Sequence, residues 1–148
     1  MILVMKMTGN RDILESILQT VQFGQATLRP LLGKPMNAVL RGALENQIEV
    51  YETIEMHAHA LASQRGWELC GLHPIRQLLR ELRTRFLLRF RCSDSHMAGM
   101  ALDSSRHSRL ALRKLRAAQT SRDSQIYFLS QKMLDCENVN ICNMQPFL

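Results

Sequence analysis

The feature that most constrains the fold is a long apolar stripe in the first half of the chain. From Pro35 to about Arg65, apolar residues recur every three or four positions, the spacing that places side chains on one face of an α-helix. A helix of about thirty residues is roughly 45 Å long, and Gly66 followed by Trp67 marks its end. Such a helix can bury its stripe only against other long helices, so the sequence predicts a helical bundle. The stripe consists of Leu40, Leu44, Ile48, Tyr51, Ile54, Ala58, Leu61 and Ala62.

The other apolar segments show the same helical spacing. A first helix is predicted over 11–32, with Asn10 as its N-cap and Gly33 as its stop. In the predicted helix 74–91 the apolar residues are expected to face inward; they are Ile75, Leu79, Leu82, Phe86 and Phe90. A weak break at "DSSR", residues 103–106, predicts two short helices, 95–103 and 105–118. The last helix is predicted from a cap at Thr120 or Ser121 to about Gln145.

The length of 148 residues suits a single domain, which we place at 10–147 after a flexible N-terminus, residues 1–9. No apolar run is long enough to span a bilayer, and the start lacks the features of a signal peptide. The four cysteines form no Cys-x-x-Cys pair. We therefore expect reduced thiols in a soluble, cytoplasmic protein.

Three segments carry a resemblance to a known family: "RDILESILQTVQFGQATLRPLL", "ALENQIEVYETIEMHAHALASQRGW" and "SQKMLDCENVNICNMQPFL". In this layout the chain resembles the small bacterial ferritin-like four-helix proteins that carry only a domain-of-unknown-function label. The resemblance covers roughly residues 10–147. It implies an all-α, ferritin-like, antiparallel four-helix bundle, here with a broken third region that adds a short extra helix. It implies no established activity.

Residues 49–59 hold three glutamates and two histidines, a composition that suits a di-iron site. Ferritin-like sites need a Glu-x-x-His pair on each of two helices, and no Glu-x-x-His occurs in this chain. Most of the acids also flank the apolar stripe, and only Glu55 falls on its line. If Glu55 is buried, His59 or an arginine of helix 74–91 is expected to neutralise it. No metal or other cofactor is favoured, and a divergent metal site formed by Glu52, Glu55 and His59 is an alternative.

Positive charge is concentrated in residues 76–116, which hold eleven arginines and lysines against three acids. The resulting +8 exceeds the +6 of the whole chain. Arginines at helical spacing can neutralise phosphates or meet an acidic partner or anionic surface, although no interleaved aromatic residues are present to stack bases. Two stripes are the candidate polyanion-binding residues: Arg106, Arg109, Arg113 and Arg116, and Arg76, Arg80 and Arg83.

These observations favour a non-catalytic bundle that acts by protein–protein contact or by self-association into a homo-oligomer. Glycines are scattered rather than arranged in a phosphate-binding loop, and no Gly-x-Ser-x-Gly nucleophile motif is present. The two alternatives are the divergent metal-binding bundle and a binder of polyanions or nucleic acid through the arginine stripes.

Overall fold

A computed structural model of the chain describes residues 9–118 and 123–148. Those residues form helices and no strand, which agrees with the predicted all-α class. Two short 3-10 helices follow α1 and the last α-helix, at Arg29–Gly33 and Gln145–Phe147; we call the first of them the 3-10 segment. The α-helices are α1 (Asn10–Leu28), α2 (Ala38–Gln64), α3 (Pro74–Phe90), α4 (Asp94–Ala117) and α5 (Ser124–Met144).

The helix starts differ slightly from the predicted ones, and at α2 and α5 a capping side chain sets the start. Asn37 Oδ1 accepts hydrogen bonds from the backbone N–H groups of Val39 (2.8 Å) and Leu40 (3.4 Å), so α2 begins after Asn37 rather than at Pro35. Asn10 is the first residue of α1 and Gly9 is its N-cap. Asp123 caps α5 in the same way as Asn37 caps α2. The predicted caps Thr120 and Ser121, and the predicted loose residues 1–8, lie outside the described residues.

Four of the helices form a bundle in which α1 and α5 lie diagonally opposite and each packs on both α2 and α4. The backbone N–H of Asn37 donates to Asp94 Oδ1 (3.2 Å), so α2 and α4 begin at the same end. The N–H of Asp123 donates to Asn10 Oδ1 (3.3 Å), so α1 and α5 begin at the other end. Neighbouring helices are therefore antiparallel throughout. Because α2 ends where α1 begins, the chain must travel back along the bundle before α4, and α3 makes that crossover.

One hydrophobic core lies between the four bundle helices, and it contains the predicted apolar stripe of α2, with Leu61 only partly buried. The end of α2 also follows the prediction. Gly66 has a positive φ of 68°, a conformation that suits glycine. The N–H of Trp67 then donates to the Ala62 carbonyl oxygen at 2.8 Å, which folds Trp67 back onto the core.

The predicted break at 103–106 is wrong, because α4 is continuous from Asp94 to Ala117. Ser104 and Ser105 of the predicted break are buried on the inner face of α4, and so is Ser108 one turn later. Small hydroxyl side chains at these positions pack between helices rather than ending one. The only interruption of the predicted third region is residues 91–93, between α3 and α4. No helix of the described ranges has the length and apolar character needed to cross a membrane.

Candidate functional site

Helix α3 stands outside the bundle and packs mainly on α1 and the 3-10 segment. His73 Nδ1 accepts a hydrogen bond from the backbone N–H of Ile75 (3.2 Å), and Pro74 occupies the first turn, where its missing N–H costs nothing. The helix ends at Phe90, just before the Ser93 cap of α4. Its sequence thus specifies a helix with clear ends, although only Thr84 and Leu88 of that helix are buried.

The apolar face of α3 points outward, which contradicts the prediction that it faces inward. Six large side chains are between 50% and 74% exposed, and on a helix of 3.6 residues per turn they fall within about 120° of arc, roughly opposite Thr84 and Leu88. Monomeric soluble proteins rarely expose a contiguous apolar surface of this kind without a function for it. We call these residues the α3 face: Ile75, Leu78, Leu79, Leu82, Phe86 and Phe90.

Polar contacts on the opposite side of α3 fix this orientation. Arg80 Nε donates to Thr27 Oγ1 at 2.9 Å, and the Arg80 guanidinium lies 4.5 Å from the centre of the Phe23 ring. Gln77 Nε2 donates to the Leu72 carbonyl oxygen at 3.0 Å. Burial, with a smaller contribution from the charge of Arg83, lowers the pKa of Arg80. The helix is thus attached to α1 through its polar side, and its apolar side has no partner within the described part of the chain.

Arginines border the α3 face on both sides. Residues 74–91 carry six arginines and one glutamate, a net charge of +5. Arg76 and Arg83 lie on one edge of the α3 face, Arg85 lies on the other edge, and Arg89 lies just inside that second edge. All four are exposed, and none forms an ion pair with another described residue. Glu81 instead lines a small polar pocket against α1 and α2.

A groove of about 880 Å³ runs between α3 and the 3-10 segment. Leu79, Leu82 and Phe86 form its apolar wall, and Pro30 lies on the opposite side. Five cations line the groove, and no acid of the described residues does; Arg29 is paired with Glu52, and the others are Lys34, Arg83, Arg85 and Arg89. The groove therefore combines an apolar floor with a positively charged rim.

The predicted arginine stripe of α4 is partly engaged within the protein. Arg109 Nη1 donates to Asn138 Oδ1 at 3.1 Å. Arg116 Nη1 donates to Gln131 Oε1 at 2.7 Å, and its guanidinium lies 4.3 Å from the centre of the Tyr127 ring. Arg106 and Arg113 are exposed. The stripe thus holds α4 to α5 at two of its four positions.

The candidate metal ligands do not converge. Glu52 is exposed and forms an ion pair with Arg29 at 2.6 Å, and His59 is exposed. Glu55 is half-buried and accepts a hydrogen bond from Gln25 Nε2 at 3.4 Å, so its partner is an amide of α1 and not His59 or an arginine of α3. No group of three histidine, cysteine or acidic side chains suited to a metal ion occurs in residues 9–118 and 123–148.

A buried polar cluster lies at the centre of the bundle, where the sequence predicted apolar packing. Tyr51 Oη donates a short hydrogen bond to Glu137 Oε1. Gln47 Nε2 donates to Tyr51 Oη (2.9 Å) and to Ser105 Oγ (3.1 Å), which ties α2, α4 and α5 together. Glu137 is fully buried, and its Oε2 has no hydrogen-bond partner among the described residues.

Burial dominates the titration of this cluster. It raises the pKa of Glu137 from 4.5 to about 7, although the Tyr51 and Ser105 hydroxyls and the charge of Arg109 act in the opposite direction. Burial and the nearby Glu137 charge also raise the pKa of Tyr51, and they raise that of the Cys136 thiol to about 12. One carboxylate surrounded by amide and hydroxyl groups is not a di-iron ligand set, and a thiol with so high a pKa is a poor nucleophile.

The spacing of α5 contains a signal that could have revealed Glu137. The buried positions 126, 130, 133, 137, 140 and 144 alternate steps of four and three, so they form one inner stripe. The neighbouring Cys136 is the more apolar side chain, yet it lies off this stripe and is only partly buried. Gln47 fits the α2 stripe by the same spacing.

Comparison of the chain with protein-family models, with curated proteins and with solved structures found no match in any of the three. What the protein does must therefore be argued from its own surface and core. The α3 face, with the cationic groove beside it, is the feature that the fold itself does not use.

Proposed function

We propose that the protein is a non-catalytic, ferritin-like helical bundle that works as a binding module, with the α3 face as the contact surface for a protein partner. The ferritin-like arrangement is supported by two antiparallel helix pairs joined by a single long crossover, the connectivity of that class. The free cysteines of the described residues fit a reducing, cytoplasmic location. The bundle core needs nothing from α3 beyond Leu88, so the outer side of α3 is available for binding.

The single observation that supports binding is that six large apolar side chains are exposed on one helix face. Burying a large apolar side chain stabilises a protein or a complex by about 1.5–3 kcal/mol. The six side chains of the α3 face do not gain this stabilisation within the bundle. Protein partners commonly take such faces as anchors spaced by three and four residues. In α3 the steps from Ile75 through Leu79, Leu82, Phe86 and Phe90 are four, three, four and four.

Site-specific photo-cross-linking tests this function. A photo-reactive amino acid is placed at Leu82, and a control is placed at Phe128, which is 71% exposed on α5. In cells that express the protein, the probe at Leu82 should yield an adduct with one protein, which mass spectrometry identifies. The absence of a protein adduct above the Phe128 background would refute the proposal.

A binding measurement with the purified adduct protein completes the test. The protein captured by the probe at Leu82 should bind the wild-type chain and the Phe128→Ser variant with equal affinity. It should bind Leu82→Ser/Phe86→Ser about 30-fold more weakly, since apolar anchors at an interface centre each contribute strongly. Equal binding of all three proteins would show that the cross-link was incidental and would overturn the proposal.

A further inference from the structure

We propose that the partner is an amphipathic protein helix with carboxylates along both sides of its apolar stripe, and that it lies in the groove between α3 and the 3-10 segment. This inference rests on the proposed function and specifies the chemistry of its partner. Three observations carry it: the length of the α3 face, the sign of the charge around it, and the presence of a second wall.

The length of the α3 face matches a helix of several turns. From Ile75 to Phe90 the face extends over fifteen residues, or about 22 Å at the standard rise per residue. A partner helix of about the same length presents apolar residues at steps of three and four, which meet those of α3 side by side. A loop or a short peptide would leave much of the α3 face uncovered.

The charge around the α3 face selects an acidic partner. Arg85 and Arg89 border it on one side, Arg83 borders it on the other, and all three also line the groove with Arg29 and Lys34. Glu and Asp residues flanking the partner's stripe would each meet a cation at the rim, whereas lysines there would be repelled. Within residues 9–118 and 123–148, no acidic side chain lines the groove.

A second copy of this chain does not fit the same requirements. Two α3 faces placed together would bring arginine edges against arginine edges, which is unfavourable. The acidic edge of α2 is formed by Glu45, Glu49 and Glu52. The exposed large apolar side chain that continues this edge at three- and four-residue spacing is Met56. This edge therefore cannot cover the six apolar side chains of the α3 face.

The 3-10 segment forms the second wall of the groove, and this wall favours a helix over a lipid surface as the partner. Pro30, Lys34 and the exposed Arg29 make the far side of a groove of about 880 Å³. A helix laid along α3 would fill that groove. A bilayer, being flat on the scale of one helix, would touch the outermost residues and leave the groove empty. Anionic vesicles therefore provide the competing outcome in the test.

The test measures fluorescence anisotropy with the full chain and three labelled synthetic peptides of eighteen residues. The first has a leucine stripe at three- and four-residue spacing flanked by glutamates. The second replaces the glutamates with lysines, and the third scrambles the first. The first peptide should bind at least about tenfold more tightly than the other two, since electrostatic complementarity selects partners by sign. Its affinity should fall as salt rises from about 50 to 300 mM.

Matched variants of the protein locate the binding site. Arg85→Gln/Arg89→Gln should weaken binding of the glutamate peptide about tenfold. The control variant, Lys114→Gln/Lys132→Gln on α4 and α5, makes the same charge change at residues that do not line the groove and should leave the affinity unchanged. Circular dichroism checks that each variant keeps its helix content. A loss of affinity in the control variant as large as that in the α3 variant would overturn the assignment to the groove.

Three further outcomes would overturn the proposal. Equal or absent binding of the glutamate and lysine peptides would show that charge does not select the partner. Binding to phosphatidylglycerol vesicles with no peptide binding would assign the α3 face to a lipid surface. A dimer that Leu82→Ser converts to a monomer would assign it to a second copy. If cross-linking at Leu82 succeeds while the peptide fails, the binding function stands and only the acidic helix is wrong.

Discussion

The buried carboxyl of Glu137 makes the stability of the protein depend on pH, and Glu137→Gln isolates that dependence. In the folded protein the pKa of Glu137 is raised to about 7, whereas the unfolded value is 4.5. Between these values the folded state holds a proton that the unfolded state has lost. The contribution of Glu137 to folding is therefore fully present below about pH 4.5, and it is lost as the pH rises through 7.

The magnitude follows from the two pKa values. The full linkage is about 3 kcal/mol, and the part that falls between pH 5 and pH 8 is about 2.5 kcal/mol. Glutamine keeps the shape of the side chain and an oxygen that accepts from Tyr51, but it does not titrate. The free energy of unfolding of Glu137→Gln relative to wild type should therefore increase by about 2.5 kcal/mol from pH 5 to pH 8.

Urea unfolding followed by circular dichroism at several pH values between 5 and 8 measures this difference. Other acids titrate equally in both proteins and cancel in the comparison. The control is Glu49→Gln, which removes an exposed carboxylate of α2 and shows what the loss of a surface charge does to the same unfolding curves. If Glu137→Gln and wild type keep a constant difference across this range, Glu137 is ionised in the folded protein and the reasoning fails.

Two further predictions concern stability. A Cβ at Gly24 would lie 2.6 Å from a ring carbon of Tyr51, so Gly24→Ala should cost about 1–3 kcal/mol by overpacking. Gly42 lies at a helical position with open space around it, so Gly42→Ala should stabilise the protein by about 0.5–1 kcal/mol. Urea unfolding midpoints that shift in the same direction for Gly24→Ala and Gly42→Ala would contradict these two expectations. Asp123→Ala removes the α5 cap and the contact with Arg65, so the free energy of unfolding should fall by about 1–2 kcal/mol. The control Asp103→Ala, at an exposed position, should cause no measurable loss of stability.

The arrangement of apolar residues along α2 was enough to predict its course, its burial and its end. In α2 the apolar stripe is opposed by charged residues, so only one orientation buries it well. The same spacing in α3 predicted a helix correctly but its orientation wrongly. Periodicity shows that a helix has an apolar side; it does not show whether this chain supplies the surface that covers it.

The buried cluster was not predicted because each of its members is polar when considered alone. Hydrogen bonds join Gln47 to Ser105 and to Tyr51, and Tyr51 to Glu137, and this network exists only because three helices meet there. A pattern read along one helix at a time does not contain it. The break predicted at 103–106 had the same origin, since the serines there belong to the core of the bundle.

The position of α3 as the crossover has a consequence for how this surface can vary. The distance from the end of α2 to the start of α4 sets the length of α3, because the chain must return along the bundle between them. The seventeen residues of α3 cover about 25 Å of that return. The outward side chains carry no such restriction. The scaffold thus sets the length of α3 and leaves the chemistry of its outward face free to vary.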